Sequence, residues 1–196
     1  MHINKDALNL IKESEGLSLK AYKCPAGVWT IGYGHTGKDV KKGMVITEEK
    51  ATDLLKSDIA RFEKHVSAYN TKYRFTSNEF SALVSFAYNI GSITGLTKNG
   101  TRTKEQIANK MLEYCYANGK KLNALYVRRQ KERALFLKKE NEYIVTGRGV
   151  RIRSGNSLDS GIITIVNKGA KVTVEEESED FYKISAYISK KYLKEI

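Results

Sequence analysis

Glu13-Ser-Glu-Gly-Leu-Ser-Leu-Lys-Ala-Tyr-Lys-Cys-Pro-Ala-Gly-Val-Trp-Thr-Ile-Gly-Tyr-Gly-His-Thr-Gly37 holds the only proline and the only tryptophan of a 196-residue chain. Five of the fifteen glycines and one of the two cysteines lie in the same stretch. Before it, Ala7, Leu8 and Ile11 recur at helical spacing, with Asn4 placed to cap the first turn and Gly16 placed to end the helix. Within it, short alternations broken by glycine predict a twisted hairpin or small sheet. Helical periodicity then returns over Thr47 to Tyr69, Ser77 to Ile90, Lys104 to Asn118 and Leu122 to Lys139. Helices around one small sheet are an α+β arrangement.

The rules change near residue 140. After a charged joint, Lys138-Lys-Glu-Asn-Glu142, short β-rich runs are predicted at 143–145, 150–153, 162–166, 171–174 and 181–184, separated by turn residues. Five or six short strands in so few residues predict a small barrel. The chain therefore reads as two domains, 1–140 and 141–196.

Composition excludes several classes. The chain is 41% hydrophobic and 29% charged, which permits a packed core and argues against wholesale disorder. No apolar run is long enough to span a membrane, and the N-terminus lacks a signal peptide's apolar core. Cys24 and Cys115 make no disulfide framework, and His2, His35 and His65 show no metal-ligand spacing, so neither a metal nor a cofactor is expected. Residues 1–140 carry 25 basic against 14 acidic side chains, whereas residues 141–196 carry nine against eight. The positive field belongs to the first part and favours encounter with a polyanion, nucleic acid or bacterial wall.

Three residues of the opening stretch suit chemistry. Glu15 falls at the last position of the first helix, where the negative end of the macrodipole disfavours a carboxylate and raises its pKa, as a general acid requires. Leu17, Tyr22, Trp29 and Tyr33 would desolvate it further. The plainer alternative is an exposed surface glutamate. Strand alternation puts Thr30 with Gly32, leaving room for a ligand or water beside a hydroxyl, unless the threonine serves strand propensity alone. Cys24 precedes Pro25 and is followed by no helix, which argues against a cysteine-protease nucleophile.

Glu15, Cys24 and Thr30, with Ser14-Glu-Gly16, Thr30-Ile-Gly-Tyr-Gly-His-Thr-Gly37, Phe80-Ser-Ala-Leu-Val-Ser-Phe-Ala-Tyr-Asn-Ile-Gly91 and Tyr126-Val-Arg-Arg-Gln-Lys-Glu-Arg-Ala-Leu-Phe-Leu137, resemble the phage-type lysozymes of glycoside hydrolase family 24. The resemblance covers about residues 1–140. It implies hydrolysis of the β-1,4 bond between N-acetylmuramic acid and N-acetylglucosamine. Glu15 would be the acid and Thr30 would hold the attacking water. Cys24 stands where aspartate is common, either as a partly ionised thiolate or as a group that polarises water beside Thr30. Gly32, Tyr33 and Gly34 would line the cleft, with Tyr33 free to stack on sugar. His35 would anchor the turn after the hairpin. Arg128 or Arg129 would reach and orient Glu15, or both would only hold the late helix. Residues 80–90 would form the buried hub helix. Asn118 to Leu125 depart from the family's glycine-proline turn, so a different loop is expected there.

Val150-Arg-Ile-Arg-Ser-Gly-Asn-Ser157, Asn167 to Val174, Phe181-Tyr-Lys-Ile184 and Ser189 to Leu193 resemble a bacterial SH3 domain with a hairpin lost after Ile184 and Phe181 in place of a tryptophan. Such a tail implies wall binding, or else a spacer. The resemblance as a whole implies a monomeric endolysin made in the host cytoplasm, released to the wall without a signal peptide, binding peptidoglycan but neither nucleic acid nor the membrane interior. The rival readings are a lytic transglycosylase using Glu15 alone, a wall peptidase built on Cys24, and a binding protein without catalysis.

Overall fold

The computed structural model describes every residue except Glu140, Glu175, Ser178, Glu179, Ser185, Ala186, Lys190, Lys191 and Ile196. The chain divides into two compact units, Met1–Lys138 and Lys139–Ile196.

In the first unit, α1 (Lys5–Glu15) starts at Asn4, whose side chain accepts from the Ala7 amide, and ends at Gly16 with φ 73°. The chain then forms a three-stranded antiparallel sheet of β1 (Ser18–Lys23), β2 (Trp29–Gly32) and β3 (His35–Thr36). Helix α2 (Glu48–Tyr73) runs four residues past the expected end, because nothing breaks it before Arg74, which closes it in the left-handed region. Helix α3 (Ser77–Ile90) is the hub. Its capping box, Thr76 with Glu79, fixes the start. Phe80, Leu83, Val84 and Phe86 are fully buried, and α1, α2 and α6 (Asn123–Leu137) pack around them. A helix apolar on nearly every face belongs inside a core.

The sequence reading fails at one helix. The segment expected to be helical over 104–118 is a short α5 (Lys104–Met111) followed by a two-stranded hairpin, β4 (Tyr116–Ala117) and β5 (Lys120–Lys121). Asn118 (φ 50°) and Gly119 (φ 74°) form its turn. Asn-Gly is the residue pair that a two-residue hairpin with two positive φ values demands, and that signal outweighs the helical spacing before it. A short helix, α4 (Thr94–Thr97), was not expected either.

The second unit is all β. β6 (Asn141–Val145), β7 (Val150–Arg153), β8 (Ile162–Val166) and β9 (Lys171–Val174) fall on the predicted runs. β10 (Glu176–Glu177), β11 (Phe181–Lys183), β12 (Tyr187–Ser189) and β13 (Leu193–Glu195) complete two sheets, ordered β10-β11-β12-β7-β8 and β13-β6-β9. Val145, Val150 and Ile152 are buried between them. Phe181, in the tryptophan's place, is buried as well. β11 and β12 pair antiparallel, so this hairpin is short rather than missing. Ser185 and Ala186, which join them, lie outside the described residues.

Candidate active site

An open cleft of about 430 Å³ crosses the first unit, and Glu15, Tyr33, Gly34, Asp58, Tyr88 and Asn89 are among its walls. Glu15 reaches it because α1 ends there and Gly16 turns the chain away. Its side chain keeps about a quarter of its surface exposed, and Arg128 Nη1 donates to Oε1 at 2.7 Å. This is one of the two arginines that the resemblance implies would reach Glu15. Leu17 and Tyr22, expected to desolvate the acid, are 42% and 45% exposed.

The paired arginines have separate tasks. Arg128 turns toward Glu15, while Arg129 is fully buried, with its guanidinium 4.8 Å from the Phe86 ring centre and Nη2 donating to Asn89 Oδ1. Both meet Glu132, a fully buried carboxyl that sequence reasoning missed. Glu132 Oε1 accepts from Ser85 Oγ at 2.9 Å, from Arg128 Nε at 3.2 Å and from Arg129 Nη2 at 3.0 Å. Arg129 Nε lies 2.7 Å from Oε2. Burial pushes the Glu132 carboxyl up against the pull of the two guanidiniums, and pushes Arg129 down, aided by the Arg128 charge and opposed by the Glu132 carboxylate. Glu132 follows Arg128 by four residues and Arg129 by three, so one turn of α6 places all three together. That spacing was the available signal.

Cys24 and Thr30 share the β1–β2 hairpin and do not line the cleft with Glu15. Cys24 opens the turn, with its amide donating to Val28 O and its carbonyl accepting from Gly27. Hydrogen bonds from the backbone at Val28 and Ala26 hold the thiol below its ordinary value, against slight desolvation, and Thr30 adds to the effect. Thr30 is 3% exposed, in the middle of the three-stranded sheet, and its hydroxyl donates to Val28 O at 3.2 Å. The open space expected beside it is absent. Gly32 (φ 66°) faces α2, and a Cβ there would sit 3.2 Å from the Ala51 Cβ, so this glycine admits a helix rather than a sugar. Tyr33 borders the cleft but is 5% exposed. Its hydroxyl donates to Glu48 and the Lys12 ammonium lies 5.1 Å from its ring centre, so the ring is not free to stack on a ligand. Gly34 (φ 92°) is open, with nothing within 4 Å of an added Cβ.

Tyr88 and Asn89, at the end of the hub helix, are cleft residues that its apolar run concealed. The Tyr88 hydroxyl donates to Tyr33 O at 3.3 Å, and burial, with the Glu15 and Asp58 charges, pushes its pKa to about 12. It stays protonated at neutral pH.

His35 is held on both sides, Nδ1 at 2.9 Å from Asp58 and Nε2 at 3.1 Å from Asp39. Burial lowers its pKa, but the hydrogen bonds and charges of the two aspartates outweigh it, and the net value lies above the ordinary 6.5. A histidine with a raised folded pKa contributes stability that is fully present below its unfolded pKa and is lost as pH rises through the folded one. Stability of the first unit should therefore fall from about pH 6.5 upward through the raised value. His35→Asn should flatten that slope in urea titrations at successive pH values; an unchanged slope would assign the pH dependence elsewhere.

Residues 12–132 match the phage lysozyme family. The chain belongs to this family. Residues 148–194 match the bacterial SH3 domain family. The endolysin of Bacillus phage B103 is 41% identical over 153 residues, covering 74% of this chain and 57% of that protein. The chain thus spans little more than half the length of that relative. The endolysin of Salmonella phage P22 is 37% identical over 146 residues, covering 70% of this chain and 99% of the relative. Among solved structures, the muramidase domain of SpmX from Asticaccaulis excentricus superposes with a TM-score of 0.63 at 34% identity, covering 71% of this chain and all of that one. P22 lysozyme gives 0.62 at 36% identity, covering 70% and 99%.

Proposed function

We propose that this phage lysozyme family member is an endolysin that hydrolyses the β-1,4 bond between N-acetylmuramic acid and N-acetylglucosamine in peptidoglycan. One observation carries the reading: the Glu15 carboxyl stands at a helix end in an open cleft and is gripped by an arginine seated on a buried carboxylate. Glu15 donates its proton to the glycosidic oxygen as the bond to the anomeric carbon breaks. Arg128 orients the carboxyl and afterwards stabilises the carboxylate left behind. Water, held by Thr30, adds to the anomeric carbon, and its proton is taken by Cys24 as thiolate, whose pKa the surrounding hydrogen bonds lower. Gly34 gives the sugar close access, and His35 anchors the turn. The excess of basic residues in 1–140 draws the enzyme to an anionic wall. The tail binds that wall, the protein acts there as a monomer after release from the cytoplasm, and no cofactor takes part.

Digestion of purified peptidoglycan tests the reaction. Fragments that gain one water and end in reducing muramic acid support hydrolysis. A second reading has an observation in its favour, because Cys24 and Thr30 are not cleft walls. If Glu15 works alone and the sugar's own 6-hydroxyl attacks, the fragments end in anhydromuramic acid, one water lighter.

The role of Cys24 has its own test. Cys24→Asp should keep activity within about tenfold, since it restores a base, whereas Cys24→Ser should lose on the order of a hundredfold in kcat. Full activity of the serine variant would remove the thiolate from the mechanism.

A further inference from the structure

We propose that the second unit carries a pocket for the free C-terminal carboxylate of a short wall peptide, gripped by Arg151. The inference rests on the reading of this chain as a wall hydrolase and names the part of the wall that its tail holds. The pocket has a volume of about 230 Å³ and is walled by Val150, Arg151, Arg153, Leu158, Phe181 and Tyr192. This is below the roughly 300–1,000 Å³ of sites that enclose a whole ligand, so it suits a chain end.

The pocket is built into the fold. Gly147 lets the Tyr192 ring close on the 146–149 turn, since a Cβ there would lie 2.6 Å from Tyr192 Cδ1. The Thr146 amide donates to Tyr192 O at 2.7 Å, fixing the same approach from the backbone. Arg153 is 9% exposed, and its Nη1 donates to Ser160 O at 2.8 Å, which ties down the loop that presents Leu158.

The two arginines differ in what they have left to bind. Arg153 serves the loop. Arg151, two residues earlier on β7, is exposed and makes no ion pair or hydrogen bond among the described residues. Among the described residues, no carboxylate is one of the pocket's walls. A guanidinium unpaired among the described residues, at an apolar and aromatic pocket, offers a planar fork to a carboxylate and a dry wall to a small alkyl group beside it. A neutral sugar would leave the guanidinium unanswered. A phosphate polymer would answer the charge but leave the apolar wall unfilled. A peptide ending in alanine supplies both, and peptidoglycan stem peptides that have escaped cross-linking end in D-alanine with its carboxylate free. The tail would then hold the enzyme at open, poorly cross-linked wall.

The full-length Glu15→Gln variant, labelled with nitrogen-15, is titrated with N-acetyl-D-alanyl-D-alanine, with its C-terminal amide and with inorganic phosphate. The acid should shift the amide signals of Gly149, Val150, Arg151 and Leu158, with an affinity about tenfold or more above the other two, as a lost charge-assisted pair predicts. Adding Arg151→Gln should abolish the response while leaving the rest of the spectrum in place. Adding Arg151→Lys, which keeps the charge and loses the fork, should give an intermediate response. Equal binding of the amide or of phosphate, no response to the acid, or a response that survives Arg151→Gln would overturn the pocket. Sedimentation of the same proteins with purified walls separates the two readings. Wall retention with no peptide response removes the pocket alone, whereas a peptide response without wall retention removes wall targeting alone.

Discussion

Glu15→Gln should lower peptidoglycan hydrolysis by about three orders of magnitude while leaving the fold intact. The amide oxygen still accepts from Arg128 Nη1, so the side chain keeps its place, but it has no proton to give the leaving oxygen. The effect should fall on kcat, because proton transfer occurs in the transition state rather than on binding. Release of soluble muropeptides at saturating wall, with circular dichroism as a check on folding, measures both. A variant that lyses walls at the native rate would remove Glu15 from the chemistry, whatever its position in the cleft.

Glu132→Ala should be the most destabilising substitution at the site. The carboxylate is fully buried and is the counter-charge shared by Arg128 and Arg129. Its removal leaves two buried guanidiniums facing each other and Ser85 without its acceptor. Breaking a buried pair in this way costs about 3–5 kcal/mol, on the order of 10 °C in Tm for a domain of this size. Glu132→Gln keeps an acceptor for Ser85 and one guanidinium, and should cost less. Both variants should also change how activity depends on pH, because Arg128 is Glu15's partner and Glu132 seats Arg128. Thermal unfolding together with the pH–rate profile distinguishes the two consequences. A profile unchanged in the glutamine variant would confine Glu132 to stability.

These expectations show how far local sequence reaches. The first helix, with its Asn4 cap, its Gly16 stop and Glu15 at its last turn, was legible because capping and periodicity are local properties. Four strands of the second unit, over 143–145, 150–153, 162–166 and 171–174, fell where alternation and turn residues put them. The hairpin at Asn118-Gly119 was misread although its signal is local, because the apolar spacing of 104–112 was carried past it.

Other matters depended on tertiary structure. The resemblance implies Gly32 and Tyr33 as cleft residues; Tyr33 is indeed a wall of the cleft, but α2 holds its hydroxyl through Glu48 and fills the space beside Gly32 with Ala51. Asp58, Tyr88 and Asn89 come to the cleft from α2 and α3, far from Glu15 in sequence. Thr30 is enclosed by strands on both sides. The sequence by itself determined which residues could act as an acid, a thiol or a cap, since those follow from side-chain chemistry and near-neighbour spacing. Only the tertiary structure decided that Arg128 rather than Arg129 meets Glu15, because that choice depends on which face of α6 the hub helix buries and where a third charge, Glu132, is left to hold the arginines apart.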